Sequence, residues 1–206
     1  MKKILFCLAT SLMMMAAAWS QTPEEIISLM EKALEPAETR GMTMVMDFKI
    51  PIIGTSTTTL YTLGNKTRSE TTLMGHQLVT FSDGITDWEY DSINNELTIE
   101  NAEPEENSES ELFDGITDDY TVSLKKETAE AWYLLCKKSK LNHDKDAPDK
   151  MELVVSKKTH MPISLSTKMK GIKLTLRDMQ LGVDPAKVSF RMEDYPNAKI
   201  IDKRNS

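Results

Sequence analysis

Four carboxylates fall within nine residues of one another: Asp83, Asp87, Glu89 and Asp91. Two carboxyl groups at a fixed separation can hydrolyse a glycoside, one as acid and the other as base or nucleophile. The alternation argues against that use here. Asp87, Glu89 and Asp91 interleave with Trp88 and Tyr90, so a strand turns the carboxylates to solvent and the aromatics to the other face. His76, His143 and His160 lack metal-ligand spacing. No serine stands in a nucleophile-elbow context, and no glycine-rich loop is present to cradle phosphate. Cys136 alternates with Trp132 and Leu134 and reads as a buried strand residue rather than a nucleophile. The expectation is a binding protein, not an enzyme, with no cofactor and no metal.

At the N-terminus, Lys2 and Lys3 precede an apolar run over 4–18 that is too short to favour a spanning helix. Ala18-Trp19-Ser20 supplies the small residues of a cleavage site, so 1–20 reads as a secretory signal peptide cut before Gln21. Cys7 lies too early in the run to be a lipid anchor. The expected product is one domain over 21–206, soluble in the periplasm and not lipid-anchored. Its 186 residues are enough for one core. Without Lys2 and Lys3 it carries 23 basic and 32 acidic residues, net −9, which argues against nucleic acid as a partner. One cysteine remains, so no internal disulfide can form.

Charge is segregated. Residues 69–124 hold fifteen acidic side chains and no Lys or Arg, whereas 125–206 hold eighteen basic and eleven acidic ones. The acidic peak, ENAEPEENSESE at 100–111, reads as a solvated loop. Docking a basic partner is an alternative for it; a cation site lacks the glycine and spacing of an EF-hand.

Thr22, Pro23 and Glu25 spell a capped helix start. Ile26, Met30, Ala33 and Leu34 form its apolar stripe, with Ile27 at the edge, and Pro36 and Gly41 mark the exit. Met42, Met44, Met46, Phe48 and Ile50 then alternate with Thr43, Val45, Asp47 and Lys49, the strongest period-two run in the chain. A threonine-rich strand over 55–63 includes Leu60. Ser82-Asp83-Gly84 marks a turn into the strand of Trp88 and Tyr90, and Leu97 and Ile99 resume the alternation. Strands are also expected over 66–74, 77–81, 121–126, 131–138, 151–157, 161–168 and 172–178. Asp184-Pro185 should start one helical turn before a final strand. About eleven hairpin-linked strands with few helices mean an antiparallel barrel or strongly curved sheet.

The unit Asp83-Gly84, Trp88, Tyr90-Asp91 resembles the central hairpin of the periplasmic lipoprotein carriers of the LolA family. The amphipathic helix before it and the closing Asp184-Pro185-Ala186-Lys187-Val188-Ser189-Phe190 stand in that family's order, with Val188 in place of an aromatic. The resemblance covers nearly all of 21–206. It implies a mainly β fold with a few helices, a half-open antiparallel β-barrel with a helical lid. It also implies a hydrophobic cavity for lipoprotein acyl chains. Its carriers latch the lid with an arginine where this chain has Gly64; Arg68 lies four residues on.

Shielding acyl chains asks for a deformable wall, and methionine, unbranched and polarisable, suits it. The expected cavity residues are Met30, Met42, Met44, Met46, Phe48 and Leu60, with Trp88 and Tyr90 near the mouth. An ordinary core, with methionine as filler and the aromatics fixing hairpin register, is the competing reading. The partners implied are acylated lipoproteins or other lipids, an inner-membrane exporter and an outer-membrane acceptor, met by a monomer. An envelope sensor or another hydrophobic-ligand binder on the same fold remains the alternative.

Overall fold

The computed structural model describes residues 21–102, 113 and 115–204. The expected signal peptide, and most of the acidic loop, lie outside the described residues. Helix α1 (Pro23–Leu34) starts with the expected reciprocal cap: the Glu25 N–H donates to Thr22 Oγ1 at 3.2 Å and the Thr22 N–H to Glu25 Oε2 at 2.9 Å. Its buried side chains are Ile26, Ile27 and Met30; Ile27 lies inside the stripe rather than at its edge. A short helix, α2 (Ala37–Arg40), ends at Gly41. Gly41 has φ +76, and a Cβ there would meet the Thr62 carbonyl oxygen at 2.3 Å, so only glycine fits where the chain enters the sheet.

Twelve strands follow: β1 (Met42–Ile50), β2 (Gly54–Leu63), β3 (Lys66–Leu73), β4 (His76–Ser82), β5 (Thr86–Asp91), β6 (Glu96–Asn101), β7 (Tyr120–Glu127), β8 (Ala131–Lys138), β9 (Lys150–Ser156), β10 (Pro162–Met169), β11 (Ile172–Leu181) and β12 (Lys199–Asp202). A one-turn helix, α3 (Ile116–Asp119), precedes β7. All twelve form one sheet in the order β12-β6-β5-β4-β3-β2-β1-β11-β10-β9-β8-β7. Its edges, β12 and β7, do not pair with each other, so the sheet stays open. The architecture is mainly β, mostly antiparallel and half-open, with helices against one face, as expected.

Two local expectations need correction. The helical turn expected at Asp184-Pro185 is present, a 3-10 turn over Pro185–Val188 capped by Asp184, but no strand follows it directly; Ser189 Oγ donates back to the Pro185 carbonyl at 2.7 Å. The last strand is β12, which pairs parallel with β6. Its four residues are too few to show a period. Strand β11 also runs beyond Asp178. A register shift opposite β1, with Asp178 at φ +55, breaks the alternation and turns Met179 into the core.

The apolar face changes sides across the sheet. Through the register, Met44 lies opposite Leu60, Leu60 opposite Ser69, Ser69 opposite Thr80, Thr80 opposite Glu89, and Glu89 opposite Thr98. Directly paired residues share a face. On β1 and β7–β11 this face is apolar and forms the main core with α1, Phe113 and Ile116. On β3–β6 the same face is mostly hydroxyl and carboxylate, with Leu73 and Leu78 as half-buried exceptions near the β3–β4 turn. There the apolar side chains Phe81, Trp88, Tyr90, Leu97 and Ile99 point to the opposite face.

Candidate ligand-binding site

Four of the expected cavity residues come together. Met30 on α1 and Met42, Met44 and Leu60 on the sheet belong to one buried cluster; Met42 and Met44 are only 2% and 1% exposed. The alternation of β1 forces its methionines into one row, and α1 covers them because its own stripe has nowhere else to be dry. Met46 is half-buried against the same cluster, and Phe48, also half-buried, continues the row opposite Ser56. The row is packed shut at Met44.

A cavity of about 390 Å³ opens beside the row's first member. Leu34, Ala37, Met42 and Phe113 are its apolar walls; Glu31, Glu35, Glu38 and Asp118 ring it. Ala37 and Phe113 were not anticipated. The signal for Phe113 was a lone aromatic beside a strongly acidic run, and that aromatic is completely buried.

Trp88 and Tyr90 do not join this site. Trp88 stacks on Phe190 with ring centroids 4.8 Å apart and planes within 10°, and Tyr90 lies 4.7 Å from the Tyr195 ring. Phe81 meets Phe190 edge-on at 5.6 Å. Such contacts fix geometry as well as burying area. The segment after β11 thus crosses the far face as a strap, with Val188 buried beneath it. Arg68 belongs to that face too. Its guanidinium lies over the Phe81 ring at 4.9 Å, pairs with Glu70 at 2.5 Å and donates to the Lys187 carbonyl at 3.3 Å. It therefore cannot latch the helices, and Gly64 sits in the β2–β3 turn without a side chain to do so.

The larger hollow, about 520 Å³, is mostly polar: Thr67, Thr80, Ser82, Asp87, Glu89, Thr98, Glu100 and Lys203 line it together with Phe81 and Trp88. Of the β5 carboxylates, Asp87 and Glu89 line this hollow, with Glu89 exposed as expected; Asp91 lies outside it and accepts from the Ile93 N–H and the Asn94 side chain. Lys203 pairs with Glu100 at 2.5 Å. Among the described residues no group of three His, Cys, Asp or Glu side chains is placed to hold a metal. Burial pushes the Cys136 thiol up to about 11, leaving it neutral and unreactive. Among the described residues no helix is long and apolar enough to cross a membrane.

No family model matches the chain, and no curated relative matches it. Solved structures do. An uncharacterised conserved protein of Thermus thermophilus is 17% identical, covers 87% of this chain and 98% of its own, and gives a TM-score of 0.49. The Mycobacterium tuberculosis lipoprotein LppX is 9% identical, with coverage of 80% and 98% and a TM-score of 0.48. A LolA superfamily protein from Nitrosomonas europaea is 12% identical, with coverage of 84% and 100% and a TM-score of 0.32. These likenesses are to the fold and carry no role over to this chain, whose functional reading rests on its own residues.

Proposed function

We propose that this chain is a non-enzymatic periplasmic carrier. It shields lipoprotein acyl chains between α1 and the methionine-bearing sheet face, taking them from an inner-membrane exporter and releasing them to an outer-membrane acceptor. One observation carries the reading: the methionines of α1 and β1 share one cluster, and an apolar-walled cavity opens at its edge beside Met42. The cavity is the entry, and the chain advances by lifting α1 off the row.

The energies are commensurate. Re-exposing Ile26, Ile27 and Met30 costs roughly 5–9 kcal/mol at ~1.5–3 kcal/mol each. Burying an acyl chain of roughly fourteen carbons returns ~11 kcal/mol at ~0.8 per methylene. Loading is favourable, yet near enough to balance for the cargo to be passed on. Methionine suits a wall that must close on itself when empty and on an irregular chain when full.

Native mass spectrometry of the protein from its own periplasm should show co-purifying lipid or lipoprotein, and a fluorescent fatty acid should bind the stripped protein. Leu34→Asp in the cavity wall should abolish the fluorescence signal. A bare protein that also ignores the probe sinks the reading. The closed packing of the methionine row favours a second one, an envelope sensor whose lid opens on a lipid signal. It predicts a stable complex with one signalling protein and no stimulated release of lipoproteins from inner-membrane vesicles.

A further inference from the structure

The antiparallel order places the β1–β2, β3–β4 and β10–β11 turns at one end of the sheet. Two of these turns carry apolar side chains in the open. Ile52 is fully exposed at φ +72 and Ile53 is half-exposed beside it; Met74 is 76% exposed at φ +51. Left-handed backbone disfavours any residue with a Cβ, and a β-branched one most; glycine or asparagine is the ordinary occupant. Ile52 and Met74 strain their turns, and none of the three side chains is buried within the chain.

Beside them stands an unusual row of charge. Lys49 on β1 lies directly opposite Lys173 on β11, and Lys173 directly opposite Lys168 on β10. All three are exposed. Like charges placed opposite one another destabilise a sheet. No ion pair among the described residues joins any of the three to a carboxylate. Asp47, two residues from Lys49 on the same face, is held by Arg177 at 2.7 Å. At the adjoining turn Lys170 pairs with Asp146.

We propose that this end of the sheet docks on an anionic lipid bilayer, with Ile52, Ile53 and Met74 entering the headgroup region and the lysine row resting on the anionic headgroups. The chain as a whole is net −7, so general attraction to such a surface is absent and docking is local. The apolar groups sit on separate turn tips, two strands or roughly 10 Å apart at normal strand spacing. A fluid interface accepts scattered tips, whereas a folded acidic partner would need a continuous patch. The surface is independent of the carrier reading, because vesicle binding and fatty-acid binding are measured separately.

The test is co-sedimentation of the mature protein with phosphatidylglycerol–phosphatidylethanolamine vesicles and with pure phosphatidylcholine vesicles, at low and high salt. Binding is expected to the first only, weakening as salt rises. Lys173→Glu should weaken it by at least about fivefold, the effect of one lysine near an anionic surface. Ile52→Asn should weaken it while holding or raising the melting temperature, because asparagine tolerates the left-handed turn. Wild-type protein that ignores the anionic vesicles, or binds both kinds alike, overturns the proposal. So does binding that neither variant changes. A lowered melting temperature in Ile52→Asn would assign the isoleucine to packing and overturn it too.

Discussion

On β1 and β7–β11 most apolar side chains face α1 and Phe113; on β3–β6 most of them, Leu73 and Leu78 excepted, face the other way, toward Val188, Phe190 and Tyr195. The first region is mostly aliphatic and thioether, with Tyr120 and Trp132 among it, and α1 covers it together with Phe113 and Ile116. The second is aromatic, fixed by ring stacks and covered by an extended strap. The changeover falls at β2, where Leu60 faces the helix side and Tyr61 the strap side. Threonine fills much of that strand and tolerates either a wet or a dry neighbour. One region is built from parts that can repack, the other from parts that hold one geometry. In the proposed function, the first is the region that opens for a ligand.

Five perturbations separate the regions. Leu153→Ala, at a fully buried position of the helix-covered core, should cost about 2–5 kcal/mol in urea unfolding. Phe190→Ala removes the stacking partner of Trp88 and should cost about 2 kcal/mol, with a shift in Trp88 fluorescence. Fatty-acid binding should survive it, and a parallel loss of binding would end the division drawn between the two regions. Thr22→Ala deletes the α1 cap and should cost about 1 kcal/mol. If α1 is the moving part, the same variant takes up the probe faster; an unchanged uptake rate points to another gate.

The fourth perturbation is pH. The hydrogen bond from Arg177, aided by one from Thr57, holds the Asp47 carboxyl below its ordinary value of 3.8, against some burial. A lowered folded-state value stabilises above the unfolded one and is lost as pH falls through the folded one. Asp47→Asn should therefore narrow the stability difference between neutral pH and pH below 3.8. Because Asp47 lies on the face away from α1, probe binding should not follow that change. The smallest effect is at Cys136: with its thiol raised to about 11, a thiol reagent at pH 8 should label only unfolded protein.

Local alternation and capping made much of this molecule legible. The helix start at Thr22, the period-two run of β1 and the turn at Asp83-Gly84 each depend on residues a few positions apart, so they appear in the chain itself. The methionine row followed from the same periodicity, and its meeting with Met30 from the need of an amphipathic helix to cover something. The dry side of Trp88 could not be read this way. Alternation shows that Trp88 and Met44 each belong to the apolar side of their own strand. It does not show that the two sides are opposite faces of one sheet.

The amino-acid order alone determined which elements form and which residues within each element share a side. Tertiary pairing settled the relation between elements: the reversal of the apolar face across β2, the parallel β12, the strap of Phe190 and Tyr195, and the position of Arg68 away from the helices. The physical reason is range. Periodicity and caps act over a few residues. The face that becomes dry depends on what arrives to cover it, and here the cover comes from about a hundred residues away in the chain.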